Sequence, residues 1–426
     1  MKTLAEIAGG LPDYDPQALR VAHAQRIIAD FIEPLRDRET ASLRQALGRV
    51  LAEDIPSPID VPAHDNSAMD GYAFHGSYLR AETPTSFQVI GSAFAGHPYP
   101  GKVEAGQCIR IMTGAVMPPA CDTVVPQEKV LAQSDTAVTV AAGVVKPGVN
   151  RRQRGEDLRA GMVALQAGRL LRPAELGLLA SLGIAQIPVQ RRLRVAFFST
   201  GDELRSLGET LDPGCVYDSN RYTLYGMLSR LGCEAIDLGV VKDDPVSLDA
   251  ALRTACAKAD AVITTGGASA GDADYLRQAA AAMGDMAFWG MAMRPGRPFA
   301  FGRIAYDSDS AYLFGLPGNP VATMVSFYVF VRAALLQLMG AQAAPLPLMR
   351  ASLQTSVAKR PGRTEYLRGI VAPGADGTLE VRSTGTQGSG ILRSMSEANC
   401  LVVLDQERGN VAAGEIVDVL LFDGLV

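Results

Sequence analysis

The chain has 426 residues, 48% of them apolar and 20% charged, and its 40 basic against 45 acidic side chains leave a net charge of -5. That length exceeds what one hydrophobic core organises, and at about 150 residues per domain it predicts two to four domains. The composition excludes disordered and fibrous classes, and without a basic excess it argues against a nucleic-acid surface.

The opening MKTLAEIAGGLPDYDP lacks the charged-then-apolar order of a secretory signal. A later apolar stretch, VATMVSFYVFVRAALLQLMG, is interrupted by Arg332 and falls short of a clean membrane span. A cytoplasmic chain with no membrane partner is expected. The six cysteines form no CxxC pair, so they are expected to be reduced and structural.

Asp15-Pro16 reads as an N-cap and first helical residue opening a helix to about Ile32, and Leu43, Ala46, Leu47, Val50 and Leu51 repeat at helical spacing. From 58 to 150 short runs such as FQVIG, CIRIM and TAVTV, separated by Gly, Pro and Asp, predict a small β-rich domain. A helix around Pro173–Leu182 leads to a new domain near 190. There LRVAFF, CEAIDLG, DAVITT and AYLFG read as strands and 219–231, 245–258, 272–283 and 320–339 as helices. That alternation predicts a parallel-rich sheet covered on both faces. PLPLMR (345–350) reads as a linker into a last domain, 344–426, whose strands LRGIV, LEVRS, CLVVLD and IVDVLLF suggest a β-barrel or sandwich.

The carboxyl ends of parallel strands share one edge, where ligands bind. STGDE (199–203), KDD (242–244), TTGGASAGDAD (264–274) and GLPGNP (315–320) each follow a predicted strand of the central domain and so should meet there. Gly266 to Gly271 has the spacing of a nucleotide phosphate loop, but Asp272 stands where that loop needs lysine. The same stretch fits GxSxG, yet all four histidines, His23, His64, His75 and His97, precede it, which removes the base a hydrolase of that type requires downstream. What remains is a cradle of Gly266, Gly267, Ser269 and Gly271 at a helix N-terminus, favourable to phosphate. Asp272 suits the first turn of that helix, and Asp274 either does the same or serves a cation. Carboxylates of Glu203, Asp243 and Asp274 beside a phosphate would repel it unless a hard cation lay between, and Mg2+ is the expected ion. Arg294 and Arg297 of RPGRP suit oxyanions. VPAHDNSAMDGYA (61–73), RIMTGA (110–115) and RRQRGED (151–157) read as polar loops, a turn and a basic linker, with no assignment from composition alone.

Taken in order, DVPAHDNSAMDGYA, CIRIMTGA, RRQRGEDL, FSTGDEL, YDSNR, TTGGASAGDADY, RPGRPFAFG, GLPGNPVA and GTQGS resemble the motif series of the molybdopterin molybdenumtransferases, the enzymes similar to the E domain of gephyrin. The resemblance runs from about residue 16 to 423. It implies a multidomain α/β plus β fold in which 1–57 and 151–189 form one discontinuous domain, followed by 58–150, 190–343 and 344–426. It implies adenylylated molybdopterin and molybdate as substrates, release of AMP, Mg2+ as cofactor, a homodimer, and a transient partner in molybdopterin adenylyltransferase. Asp65, Thr113, Asp157, Glu203, Asp243 and Asp274 match positions given catalytic roles, the last three as metal ligands. Pro317, Pro320, Arg368 and Ser389 match substrate-binding positions, and in such dimers the last domain can face the α/β domain of the other subunit. Relatives often carry lysine after the tryptophan and in KPGKP, whereas this chain has Gly290 after Trp289 and arginines in RPGRP. That change keeps anion binding and loses a proton donor. The rival readings are the adenylyltransferase that makes the substrate and a pterin-binding scaffold without turnover.

Overall fold

The structure, a computed structural model, describes residues 2–266, 275–342 and 345–422. The chain divides into two compact units, one of Met1–Ala52, Gly168–Arg172 and Gln186–Val426 and the other of Glu53–Ala167 and Pro173–Ala185. The expected combination of a central α/β sheet, a β-rich domain and a C-terminal barrel is what the chain forms.

In the first unit a six-stranded sheet runs in the order Glu234–Val241, Arg194–Thr200, Ala261–Thr265, Asp309–Leu316, Pro298–Tyr306, Gly284–Gly290. The first four strands are parallel. The last two are antiparallel and form a hairpin with Gly290 opposite Pro298. Alternate residues of each central strand enter different cores: Phe197, Ile263 and Phe314 pack on one side, and Ala196, Phe198, Val262 and Leu313 on the other. Helix Asn220–Arg230, helix Val21–Phe31 and the apolar run from Pro320 cover the first face, while Pro245–Lys258 and Tyr275–Met283 cover the second. Burial on both faces is why these strands read as continuous apolar runs rather than alternating ones. Pro320–Leu338 is the one described helix long and apolar enough to cross a membrane, and most of it is buried in this core. Its middle, Phe327–Val331, is π-helical.

The C-terminal barrel of the same unit closes when Thr364–Pro373 pairs with both Leu379–Ser383 and Cys400–Leu404, and Met349–Leu353 and Ile416–Leu421 complete the ring. The second unit holds a six-stranded sheet in the order Thr123–Pro126, Gly71–Phe74, Gln107–Ile111, Thr85–Ala93, Ala137–Val140, Val130–Gln133. Here the sequence misleads at one point. The GYAF that ends the polar 61–74 stretch is a central strand, with all four residues buried.

Two N-terminal expectations fail for local reasons. Asp15 does not cap a helix, since its Oδ1 accepts the Gln17 N–H at 2.8 Å in a short turn and the helix starts at Val21. The apolar spacing of 43–51 belongs to turns after the strand Arg38–Ser42, with Val50 and Leu51 bridging Leu170 and Val189.

Candidate active site

The carboxyl ends of the parallel strands open into a cavity of about 1300 Å³. Each of the four strands places a different loop there. Glu203 follows the strand ending at Thr200, Asp243 the one ending at Val241, Gly266 the one ending at Thr265, and Pro317 the one ending at Leu316. The antiparallel hairpin supplies the opposite wall. Its 291–297 loop returns to the same edge and brings Arg294 and Arg297 into the lining. The barrel adds Arg363, Gln387 and Ser389 from the same chain.

Local chemistry fixes these loops. Asp244 caps helix Pro245–Lys258, accepting from Val246 N and Ser247 N, which anchors Asp243 one residue earlier. Asn319 and Pro320 occupy the expected N-cap and first-turn positions, but the cap is made differently. Thr323 Oγ1 donates to Pro317 O at 2.6 Å, and Ser389 O accepts the Val321 N–H at 3.1 Å. Those bonds tie the GLPGNP loop to its helix and the barrel to the helix start. Gly266 has φ +86° and lies against the Thr200 backbone, where a Cβ would sit 2.1 Å from the carbonyl oxygen. No other residue permits both that conformation and that approach.

The electrostatics are divided. Among the described residues the buried Asp243 Oδ1 has no hydrogen-bond partner. Burial, and then the charges of Asp202, Glu203 and Asp244, push its carboxyl above the usual carboxylate range. Among the described residues no three His, Cys, Asp or Glu side chains form a ready metal cluster. Asp243 with Glu203 nevertheless fits a cation, because an orphaned carboxylate oxygen repelled by its neighbours is what an arriving cation relieves. On the other wall Arg294 and Arg297 are exposed and make no side-chain bond or ion pair among the described residues. Arg368 lies behind the lining rather than in it. It is 1% exposed, with Nε donating to Ser394 Oγ and an Nη to Gly388 O, both at 2.9 Å. Burial, and then the neighbouring Arg294, pushes its guanidinium down to about 10.

Of the sequence-predicted positions, the cavity gathers Glu203, Asp243, Gly266, Arg294, Arg297, Pro317, Pro320 and Ser389. Gly267, Ser269, Gly271 and Asp274 lie outside the described residues. Asp65, Thr113 and Asp157 belong to the second unit, where their three loops converge. Thr113 N and Oγ1 both donate to Asp70 Oδ1 at 2.7 Å, and Arg154 N donates to Asp65 Oδ1 at 2.8 Å. Arg151–Arg152 pairs with Asn66–Ser67, and Asp157 N donates to Val61 O at 3.0 Å. RIMTGA and RRQRGED are therefore more than a turn and a linker, since both are laced onto 61–70.

Sequence reasoning left YDSNR unassigned. Asp218 is 2% exposed on the cavity floor, accepting from Ser199 Oγ at 3.1 Å and Arg221 Nε at 2.8 Å. Asn220 donates to Gly318 O at 2.7 Å, joining this floor to the GLPGNP loop. Ser326 was also missed. Its Oγ is buried without a partner and lies against Gly296 of the arginine loop. Gly290, the departure from the lysine pattern, has a packing cause. Its N–H donates to Pro16 O at 2.7 Å, its carbonyl accepts from Leu19 N at 2.8 Å, and a Cβ would lie 2.5 Å from Gln17 O. The N-terminal segment occupies the space a side chain would need.

Three family models tile the chain in order. They are the "MoeA N-terminal region (domain I and II)" over residues 19–183, a "Probable molybdopterin binding domain" over 196–337 and the "MoeA C-terminal region (domain IV)" over 350–422. A molybdopterin molybdenumtransferase from Haemophilus influenzae is 42% identical over 389 residues, covering 91% of this chain and 95% of the relative. The chain belongs to the MoeA family. A second relative of that description, from Nostoc, is 37% identical over 91% of this chain and 90% of its own length. The crystal structure of a molybdopterin biosynthesis MoeA protein from Pyrococcus horikoshii superposes with a TM-score of 0.82 at 30% identity, covering 95% of this chain and 100% of the other. The MoeA N-terminal model thus spans the second unit's converging loops, the molybdopterin-binding model the sheet edge of the cavity, and the MoeA C-terminal model its barrel wall.

Proposed function

We propose that the chain inserts molybdenum from molybdate into adenylylated molybdopterin, cleaving the phosphoanhydride and releasing AMP. The observation that carries this reading is the divided cavity, with acids on one side and unpaired guanidiniums on the other. A substrate that is polyanionic and must meet a second anion needs both. Glu203 and Asp243, with Asp274, would hold Mg2+, which when bound supplies neutralisation of the anhydride oxygens. The guanidiniums of Arg294, Arg297 and Arg363 bind and orient the oxyanion, and Arg368 holds the loop that carries Ser389 through the Gly388 carbonyl. The Gly266 turn, continuing into Gly267, Ser269 and Gly271, is assigned to phosphate, Pro317 and Pro320 to the loop that shapes this edge, and Ser389 to the barrel wall. Asp65, Thr113 and Asp157 are assigned a supporting role in turnover.

The same reading has the chain working as a homodimer. Exposed Val216, Tyr217, Tyr222 and Tyr225 at and beside helix Asn220–Arg230 give an apolar surface suited to a second copy. It takes its substrate from molybdopterin adenylyltransferase and works in the cytoplasm, where its six unpaired cysteines suit a reducing compartment. Incubation with adenylylated molybdopterin, Mg2+ and molybdate should release AMP. Formation of adenylylated pterin from ATP instead would favour the adenylyltransferase, and pterin binding without turnover would favour a scaffold.

A further inference from the structure

A second hollow of about 790 Å³ adjoins the cavity on the barrel side. Arg294, Lys359, Arg360 and Arg363 line it with a single carboxylate, Glu365. Arg294 and Arg363 line the main cavity as well, so the two spaces meet at these guanidiniums. Glu365 is 3% exposed and accepts from Arg363 Nε at 2.9 Å, and its charge also reaches Lys359.

Lys359 is the less ordinary member. It is 4% exposed, and its Nζ donates to the backbone carbonyls of Arg408 at 2.7 Å, Arg360 at 3.4 Å and Gln406 at 3.5 Å. Among the described residues no carboxylate forms an ion pair with it, although Glu365, Asp405 and Glu407 favour its charge from nearby, and burial outweighs them and holds it below the ordinary lysine value. Neutral carbonyls satisfy the ammonium's hydrogen bonds without cancelling its charge. The hollow's open charge thus comes chiefly from Arg294 and Arg360, with Lys359 held in the wall behind them, and concave walls rich in one sign concentrate counter-ions.

We propose that this hollow is an outer oxyanion site, which captures molybdate from solution and hands it across Arg294 and Arg363 into the main cavity. The proposal rests on the reading of that cavity as the place where molybdate is consumed. A tetrahedral dianion matches the forked donors of arginine and needs no carboxylate-bridging cation here. The structural alternative is that Lys359 only staples the 358–362 and 406–410 segments together. That role would leave oxyanion binding insensitive to Arg360, which is exposed, outside the main cavity's lining and without an ion pair among the described residues.

The test uses Arg360→Gln in the full chain. Equilibrium dialysis with molybdate alone at low salt should show more than one ion bound per wild-type chain, with the weaker one lost in the variant. In turnover the apparent KM for molybdate should rise about threefold to tenfold with kcat unchanged, as expected when a focusing charge is removed. The gap between the two proteins should close near 1 M salt, where the screening length falls to about 3 Å. Equal molybdate binding and equal KM in variant and wild type would overturn the outer site. If no AMP is released at all, the functional reading fails, and the dialysis comparison still decides the outer site by itself.

Discussion

The two walls of the cavity support their charges in opposite ways. Across from the acids, Arg368 is clasped by Ser394 and Gly388, and Arg363 by Glu365. On the acid wall Asp243 has an oxygen with no partner and acidic neighbours that disfavour its charge. Among the described residues the cationic wall is a scaffold carrying the unpaired guanidiniums of Arg294 and Arg297, while the acid wall holds an orphaned carboxylate oxygen that a cation would relieve. In this cavity the orphaned Asp243 oxygen and the Arg294 and Arg297 guanidiniums mark where ligand atoms are expected. Sites of this kind give up stability for function.

Replacing Asp243 by Asn breaks the comparison most sharply. AMP release should fall about 100-fold or more, the scale of losing a principal electrostatic group. The metal-free variant should nonetheless melt higher than wild type at neutral pH. The sign follows from the raised carboxyl. Below the ordinary value of 3.8 both folded and unfolded states are protonated and carry no penalty, and the penalty grows as pH rises through the elevated folded value. The thermal gain should therefore disappear toward acid pH, and equal melting temperatures at pH 7 would contradict it.

Arg368→Gln tests the supported wall. Ser394 and Gly388 lose their donor, so the variant should lose about 1–3 kcal/mol of stability in urea titration, and molybdate affinity should weaken about tenfold. Here stability and binding fall together, the reverse of Asp243→Asn.

Gly290→Lys places a long side chain where the N-terminal segment lies. A side chain 2.5 Å from Gln17 O must displace that segment, at a cost of about 1–3 kcal/mol. The variant should melt lower with no gain in AMP release. Smallest is Thr113→Val, which removes one hydroxyl bond to Asp70 while keeping the backbone bond. About 1 kcal/mol of stability is expected to go.

The sheet edge was legible because each loop carried its own polar signature directly after an apolar run, as at Thr200–Glu203 and Leu316–Pro320. Arg294 and Arg297 could be assigned to anions but not to a place. Only the antiparallel turn of the last two strands brings them to the parallel strands' edge. The role of Gly290 depended on a segment more than 270 positions earlier in the chain, and no local pattern reports such an approach. Arg368 entered as a substrate-binding position through the resemblance alone, and nothing in the local pattern told of its burial. Its burial comes from barrel closure, which pairs its strand on both sides. The 43–51 turns failed for the converse reason, since the apolar period was real and tertiary packing gave it another cause.

The most direct measurement is a paired assay of AMP released and molybdenum retained on the pterin, with Mg2+ and molybdate each present or withheld. One AMP per molybdenum, formed only when both are present and largely lost in Asp243→Asn, is the expected result. AMP release that ignores molybdate, or that survives Asp243→Asn unchanged, would contradict a cavity whose two walls serve a cation and an oxyanion in one reaction.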